Sequence, residues 1–227
     1  MNGIKVAIDG PSGAGKSSIS KEAAKTLSFI YIDTGAMYRA LGLCALEQGI
    51  EIKEENPQIT ALLEQVDMEI IHTVQGQRVF VNGCDVTDKI RTPQVSIAAS
   101  DISKIPAVRI KMVALQRKIA EGKNVIMDGR DIGTYVFPDA QIKIFLTASP
   151  EERAKRRHLE LTQKGEKVSY NEVLEDIKYR DENDSKREMA PLKPAEDAII
   201  VDTTEFDFSQ SAERITNLIR ERLKNVL

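Results

Sequence analysis

The chain has 227 residues and a formal net charge of -3, with 30% charged and 41% hydrophobic residues. That balance builds no global positive field of the kind that gathers nucleic acid or an anionic membrane, so phosphate recognition must come from locally placed Arg and Lys. The length suits one domain with insertions or a core plus a small lobe; the two cysteines, Cys44 and Cys84, do not make a disulfide framework, and neither they nor the isolated His72 and His158 sit in a metal-ligand spacing.

The N-terminus lacks a charged flank with a long apolar run, and no apolar stretch approaches spanning length. A reduced, cytoplasmic location without membrane partners is expected.

Ile4–Asp9 reads as a short apolar strand. Gly10-Pro11-Ser12-Gly13-Ala14-Gly15-Lys16-Ser17 follows and fits G-x-x-x-x-G-K-[ST] at every specified position. Ser17–Leu27 then reads as a helix, and strand, Gly-rich loop and helix together are the context the motif needs. Glycines let consecutive N–H groups face inward as an anion nest, and the helix start adds positive potential. Lys16 can set a point charge on the outer phosphates, and Ser17 can hold Mg²⁺.

Phe29–Asp33 reads as a second strand, leading through Asp33-Thr34-Gly35-Ala36-Met37-Tyr38-Arg39 into a helix over Gly35–Gln48. The Thr34 hydroxyl and Arg39 at a helix start suit a second phosphate group. Thr34 could equally be a plain N-cap. Leu62 to Arg91 breaks the alternation. There Met68–Thr73 and Gln77–Val81 read as antiparallel strands joined by Val74-Gln75-Gly76, with Asn82-Gly83 as a second tight turn. This is either a small inserted β lobe or a surface hairpin.

A helix over Pro106–Glu121 precedes a strand over Asn124–Asp128. An apolar run ending in Asp128 is what a Mg²⁺-side carboxylate looks like in phosphate-loop proteins. Arg130 and Asp131 follow between Gly129 and Gly133, a strand exit suited to ligand contacts or to a plain turn. A strand over Gln141–Thr147 and helices over Pro150–Lys164 and Asn171–Asn183 come next. Glu151 to Glu188 holds ten Lys/Arg and eleven Asp/Glu. Such a balance suits solvated helices or a mobile lid, and argues against a nucleic-acid patch. Helical spacing would put Arg180, Asp184 and Arg187 on one face. A strand over Ala198–Asp202 and a helix over Ser209–Lys224 close the chain. Alternating apolar strands and helices predict an α/β fold: a parallel phosphate-loop sheet covered on both faces.

Together these motifs make the chain resemble the bacterial cytidylate kinases, a branch of the nucleoside monophosphate kinases. The matching runs are Ile8 to Lys16, Asp33 to Arg39, Asp128 to Thr134, Val136 to Ala140, Lys143 to Leu146, Arg180 to Arg187 and Ala190-Pro191-Leu192. The resemblance runs essentially end to end, and the Gly129-to-Thr134 run is far more specific than the phosphate loop. It implies a core (about 1–61, 92–150 and 190–227), an acceptor-side β lobe (about 62–91) and a helical lid (about 151–189). It implies transfer of the γ-phosphoryl group of ATP to CMP or dCMP with Mg²⁺, by a protein expected to be a monomer. Position by position, it implies that Gly10–Ser17 bind ATP phosphates and that Ser100, Arg109 and Asp131 read the cytosine. Thr34, Arg39, Arg130 and Arg187 would hold the acceptor phosphate, Tyr38 and Asp184 the sugar side. Arg180 would lie near the transferring group, with Lys16, Arg130 and Arg187 sharing the charge work. Arg153, Arg156 and Arg157 are candidate lid contacts. A regulatory GTPase would need an Asn-Lys-x-Asp motif, and the chain contains no Asn-Lys pair.

Overall fold

A computed structural model describes residues 3–54, 56–73 and 76–225. In chain order the elements are β1 (Lys5–Asp9), α1 (Lys16–Leu27), β2 (Ile30–Asp33), α2 (Thr34–Glu47), α3 (Pro57–Gln65), β3 (Met68–Thr73), β4 (Gly76–Val81) and β5 (Cys84–Asp85). They continue with α4 (Pro93–Ile102), α5 (Pro106–Ala120), β6 (Val125–Gly129), β7 (Ile142–Thr147), α6 (Pro150–Gln163), α7 (Tyr170–Lys186), β8 (Ile199–Asp202) and α8 (Phe208–Leu223).

Val6, Ala7 and Ile8 in β1 and Val125, Ile126 and Met127 in β6 are buried on both faces. Strands apolar throughout belong in the middle of a covered parallel sheet. They lie there, in a five-stranded sheet of order β2-β6-β1-β7-β8, and every pairing is parallel. One face packs Ile19 and Ala23 of α1 and Ile215 and Ile219 of α8 against Val6, Ile8 and Ile144. The other packs Val113 and Ala120 of α5 against Ile32 and Met127. Register pairs Asp33 with Asp128 and Asp9 with Gly129. The carboxyl ends of β2, β6 and β1 are therefore level, where ligands of open α/β sheets sit.

The segment after α3 folds into a three-stranded antiparallel sheet, β3-β4-β5. Asn82 and Gly83, both at positive φ (48° and 77°), turn β4 into β5, as mirror-image hairpin turns require. Of the other expected turn, Val74 and Gln75 lie outside the described residues. Met68, Val79 and Val81 share a core with Met37, Leu41, Ile59, Leu62 and Met112. The small sheet is thus anchored by α2, α3 and α5.

Three local expectations need correction. Helices α3 and α4 stand where none was expected. Each starts with a capping side chain followed by Pro: Asn56 accepts from the Ile59 N–H and Thr92 from the Val95 N–H. The cap of α2 is Asp33, which accepts from the Ala36 N–H, and Thr34 is the first helical residue. Helix α7 stops at Lys186, and Arg187 is extended (φ -63°, ψ 141°). Arg187 therefore leaves the helical face that carries Arg180 and Asp184.

Candidate active site

The loop from Gly10 to Gly15 turns because its glycines reach φ values closed to other residues: 148°, 76° and 84° at Gly10, Gly13 and Gly15. A side chain at Gly10 would meet the Leu146 carbonyl at 1.9 Å, so the loop packs directly on β7. No side chain caps α1 at Gly15, which leaves its first-turn N–H groups for an anion. Lys16 is buried, and its ammonium donates to the Pro11 carbonyl at 2.6 Å. Burial first, and then Arg130, push its pKa well down, against the pull of Asp128, Asp184 and Asp9.

Beside the loop, Asp128 accepts from the Ser17 hydroxyl and the Tyr31 phenol, each at 2.8 Å. Its backbone carbonyl accepts from Thr34 Oγ1 at 2.8 Å. Burial and then Asp33 raise its pKa to about 6, with Lys16 opposing. A carboxylate and a hydroxyl are hard oxygen donors and fit Mg²⁺, which usually takes one or two protein ligands and fills its shell with water and phosphate. No cluster of three acidic, His or Cys ligands exists among the described residues, so any such ion would rely on phosphate oxygens too.

Across the cavity stands a group of arginines. Arg39 pairs with Asp33 at 2.9 Å and Arg130 with Asp184 at 2.7 Å. Arg187 lies 3.2 Å from Asp131 and 4.0 Å from Asp184. Burial pushes Asp184 up, but Arg130, Arg187 and Arg180 outweigh it and hold the carboxyl below its usual range. Arg180 makes no ion pair within 4 Å among the described residues, although Asp184 pulls its pKa up. Burial and the neighbouring Arg130 push its pKa down to about 10. The buried Nε atoms of Arg39 and Arg180 have no hydrogen-bond partner. Cations held this close with donors to spare are arranged for an anion.

Lys16, Arg39, Arg130, Arg180 and Arg187 line one cavity of about 650 Å³ together with Tyr38, Ser100 and Asp131. Arg109 is absent from that lining and is fully buried. It lies behind Asp131, to which it is ion-paired, with its guanidinium 5.7 Å from the Tyr38 ring centre and 6.0 Å from that of Tyr135. The sequence-predicted site residues line this cavity except Gly10, Pro11, Ala14, Arg109 and Arg153.

The α6–α7 hairpin packs its own apolar cluster of Ala154, Leu161, Val173 and Ile177. Arg153 ties it to the phosphate loop, donating to the Ser12 carbonyl at 2.8 Å and pairing with Asp181 at 2.6 Å. Tyr179 and Asn183 tie its other end to Asp101 of α4, at 2.7 and 3.1 Å. Arg156 binds the Thr203 and Phe206 carbonyls, while Arg157 pairs with Glu160.

Other contributors were missed by sequence reasoning. Gln77 of the small sheet accepts from the Asp33 N–H at 2.9 Å and donates to the Asp33 carbonyl at 3.3 Å. It thereby docks the small sheet on the edge strand beside Thr34 and Arg39. Tyr31 and Asp9 likewise act on residues far away in sequence, and no local pattern marks them.

A phosphate loop feeding an arginine-lined cavity in a covered parallel sheet makes this a phosphotransferase of the P-loop kinase class. A family model of cytidylate kinase matches residues 6–221. The cytidylate kinase of Caldicellulosiruptor saccharolyticus is 52% identical over 225 residues, covering 99% of each chain. That of Bacillus subtilis is 47% identical over 219 residues, covering 96% of this chain and 97% of the relative. Among solved structures, a shikimate kinase from Bacteroides thetaiotaomicron is similar at 14% identity and a TM-score of 0.48, covering 96% of this chain and 98% of that one. The chain belongs to the cytidylate kinase family. Among the described residues no helix is long and apolar enough to cross a membrane.

Proposed function

We propose that this chain transfers the γ-phosphoryl group of ATP to CMP or dCMP through the residues described above. The observation that carries the reading is that Lys16, the arginines, Ser100 and Asp131 all line one cavity. One cavity so lined suits a donor triphosphate chain and an acceptor monophosphate brought together. Gly10–Ser17 wrap the donor phosphates with backbone N–H groups, and Lys16 meets the outer ones. Ser17 and Asp128 would hold Mg²⁺, which would supply positive charge to the phosphates. Arg39, Arg130 and Arg187, with the Thr34 hydroxyl, grip the acceptor phosphate.

Phosphoryl transfer asks little covalent chemistry of the protein. It needs in-line positioning and charge to meet the spreading negative charge. Arg180, under-paired in the free enzyme, gains most when that charge arrives. The core, the acceptor-side small sheet and the α6–α7 lid divide the work, and the lid excludes water that would waste ATP. This reading takes the protein as a cytoplasmic monomer without a nucleic-acid partner.

Base choice follows from donor and acceptor chemistry. A carboxylate accepts hydrogen bonds and cannot donate. Asp131, oriented by Arg109 and Arg187, suits the exocyclic amine of cytosine and opposes the carbonyl of uracil. Ser100 and Tyr38 line the same cavity. Asp131→Asn offers either an oxygen or an N–H₂, so it should lower CMP efficiency roughly 10- to 100-fold while UMP efficiency falls far less. Steady-state kinetics with both acceptors tests this. An equal loss for CMP and UMP would remove Asp131 from base recognition.

A further inference from the structure

Asp9 ends β1, immediately before Gly10 of the phosphate loop. It is 5% exposed and lies outside the cavity lining. Its two carboxylate oxygens accept one backbone N–H each, from Ile132 and Gly133, both at 2.8 Å. It makes no ion pair among the described residues. Those two N–H groups belong to the residues directly after Arg130 and Asp131. One carboxylate therefore bolts the turn that aims the acceptor-side charges onto the root of the donor-side loop, across more than 120 residues of sequence.

Two converging N–H groups need two acceptors on one side chain. A carboxylate satisfies both, whereas an amide would turn an N–H₂ toward one of them. The turn is also tight. A side chain at Gly129 would come within 2.6 Å of Ile132, and one at Gly133 within 3.2 Å of Lys143. The turn therefore has little freedom to re-seat itself if the bolt is altered. Burial raises the Asp9 pKa to about 7, with the two N–H bonds and Lys16 pulling down and Asp131 pushing up. Buried carboxylates are costly, and groups kept at such a cost cluster where geometry matters for function.

We propose that Asp9 is a positioning residue for the acceptor nucleotide. It fixes Arg130 and Asp131 relative to the phosphate loop, so that acceptor phosphate and base are held in register with the donor. This rests on the reading of Arg130 and Asp131 as acceptor-binding residues. Asp9 touches neither substrate and acts only through the Ile132–Gly133 backbone.

The test is steady-state kinetics of Asp9→Asn with ATP–Mg²⁺ and either CMP or UMP, beside the parent enzyme and Asp131→Asn. Displacing a binding group by a fraction of an ångström should raise the KM for CMP about tenfold, leave the KM for ATP within about twofold, and narrow the CMP-to-UMP preference. A merely structural role would instead lower Tm and active fraction without changing that preference. If Asp9→Asn fails to fold by circular dichroism, Asp9→Glu is read in the same way, since it keeps both oxygens but carries them one methylene further. Equal losses for CMP and UMP, or a KM for ATP that rises with that for CMP, would overturn the proposal. The role of Asp131 would then still stand, provided Asp131→Asn narrows the preference. Should Asp131→Asn leave the preference unchanged, the acceptor-site reading falls and the Asp9 proposal with it.

Discussion

Arg180→Met should make the enzyme more stable and nearly inactive. Methionine keeps much of the stem and removes the guanidinium. Burial, Arg130, Arg39 and Arg157 together bring the Arg180 pKa from 12.5 to about 10. That difference of about 2.5, at roughly 1.36 kcal/mol per unit, makes holding the charge cost about 3 kcal/mol. Water reaching the open cavity screens much of this, which leaves on the order of 1 kcal/mol. The folded-state pKa of this base lies below its unfolded value. The unfolded chain therefore holds more protons only above about pH 10, and the penalty is full and constant at neutral pH. Removing the charge should raise Tm by roughly 2–4 °C for a chain of this size. In the transition state the same charge meets the migrating phosphoryl group. Its loss should lower kcat roughly 10²- to 10⁴-fold, about 3–5 kcal/mol. Differential scanning fluorimetry and an ADP-coupled assay on one preparation measure both. A variant with lower Tm and near-parental kcat would refute the picture of an under-paired cation waiting for substrate charge.

Lys16→Ala should cut kcat by orders of magnitude with an unchanged far-ultraviolet dichroism spectrum, because the lysine matters most as charge develops on the transferred group. Near-normal turnover would contradict the phosphate-loop assignment. Asp9 predicts a pH dependence of stability. Its pKa is raised from 3.8 to about 7 in the folded state, so between those values the folded chain holds a proton the unfolded chain has lost. Stability from this group is present in full below about pH 4 and is lost as pH rises through about 7, by on the order of 4 kcal/mol. Asp9→Asn should therefore gain on the parent as pH rises from about 4 to about 7 in denaturant unfolding, with no further gain above that. Parallel pH profiles would show that Asp9 does not titrate abnormally.

The phosphate loop was legible in the sequence because its chemistry is local. Three glycines, a lysine and a serine at fixed spacing, between an apolar strand and a helix, need no tertiary information. The parallel sheet was legible for a related reason, since Val6–Ile8 and Val125–Met127 are apolar on both faces. Helices α3 and α4 were not read, although Asn56-Pro57 and Thr92-Pro93 are start signals; short helices with mixed faces carry weak periodicity. Thr34 suits a cap by residue type, but Asp33, one residue earlier, does that work. Helical spacing carries Arg187 onto a face that ends at Lys186. Gln77, Tyr31 and Asp9 could not be found this way. Their partners lie 44, 97 and 123 residues away; the register of β1, β2 and β6 brings Asp9 and Tyr31 to theirs, and the docking of the small sheet on β2 brings Gln77 to Asp33. Arg109 shows the same limit. Its place in the Asp131 pair follows from burial that a single sequence does not reveal.

The most direct test of the central claim is an acceptor panel. ADP release from ATP–Mg²⁺ is measured with CMP, dCMP, UMP, AMP, GMP and shikimate, and with no acceptor. Rapid turnover is expected with CMP and dCMP, clearly poorer turnover with UMP, and little ADP release without an acceptor. Acceptor-independent hydrolysis at the CMP rate, or a preferred acceptor other than a cytidine monophosphate, would contradict that claim.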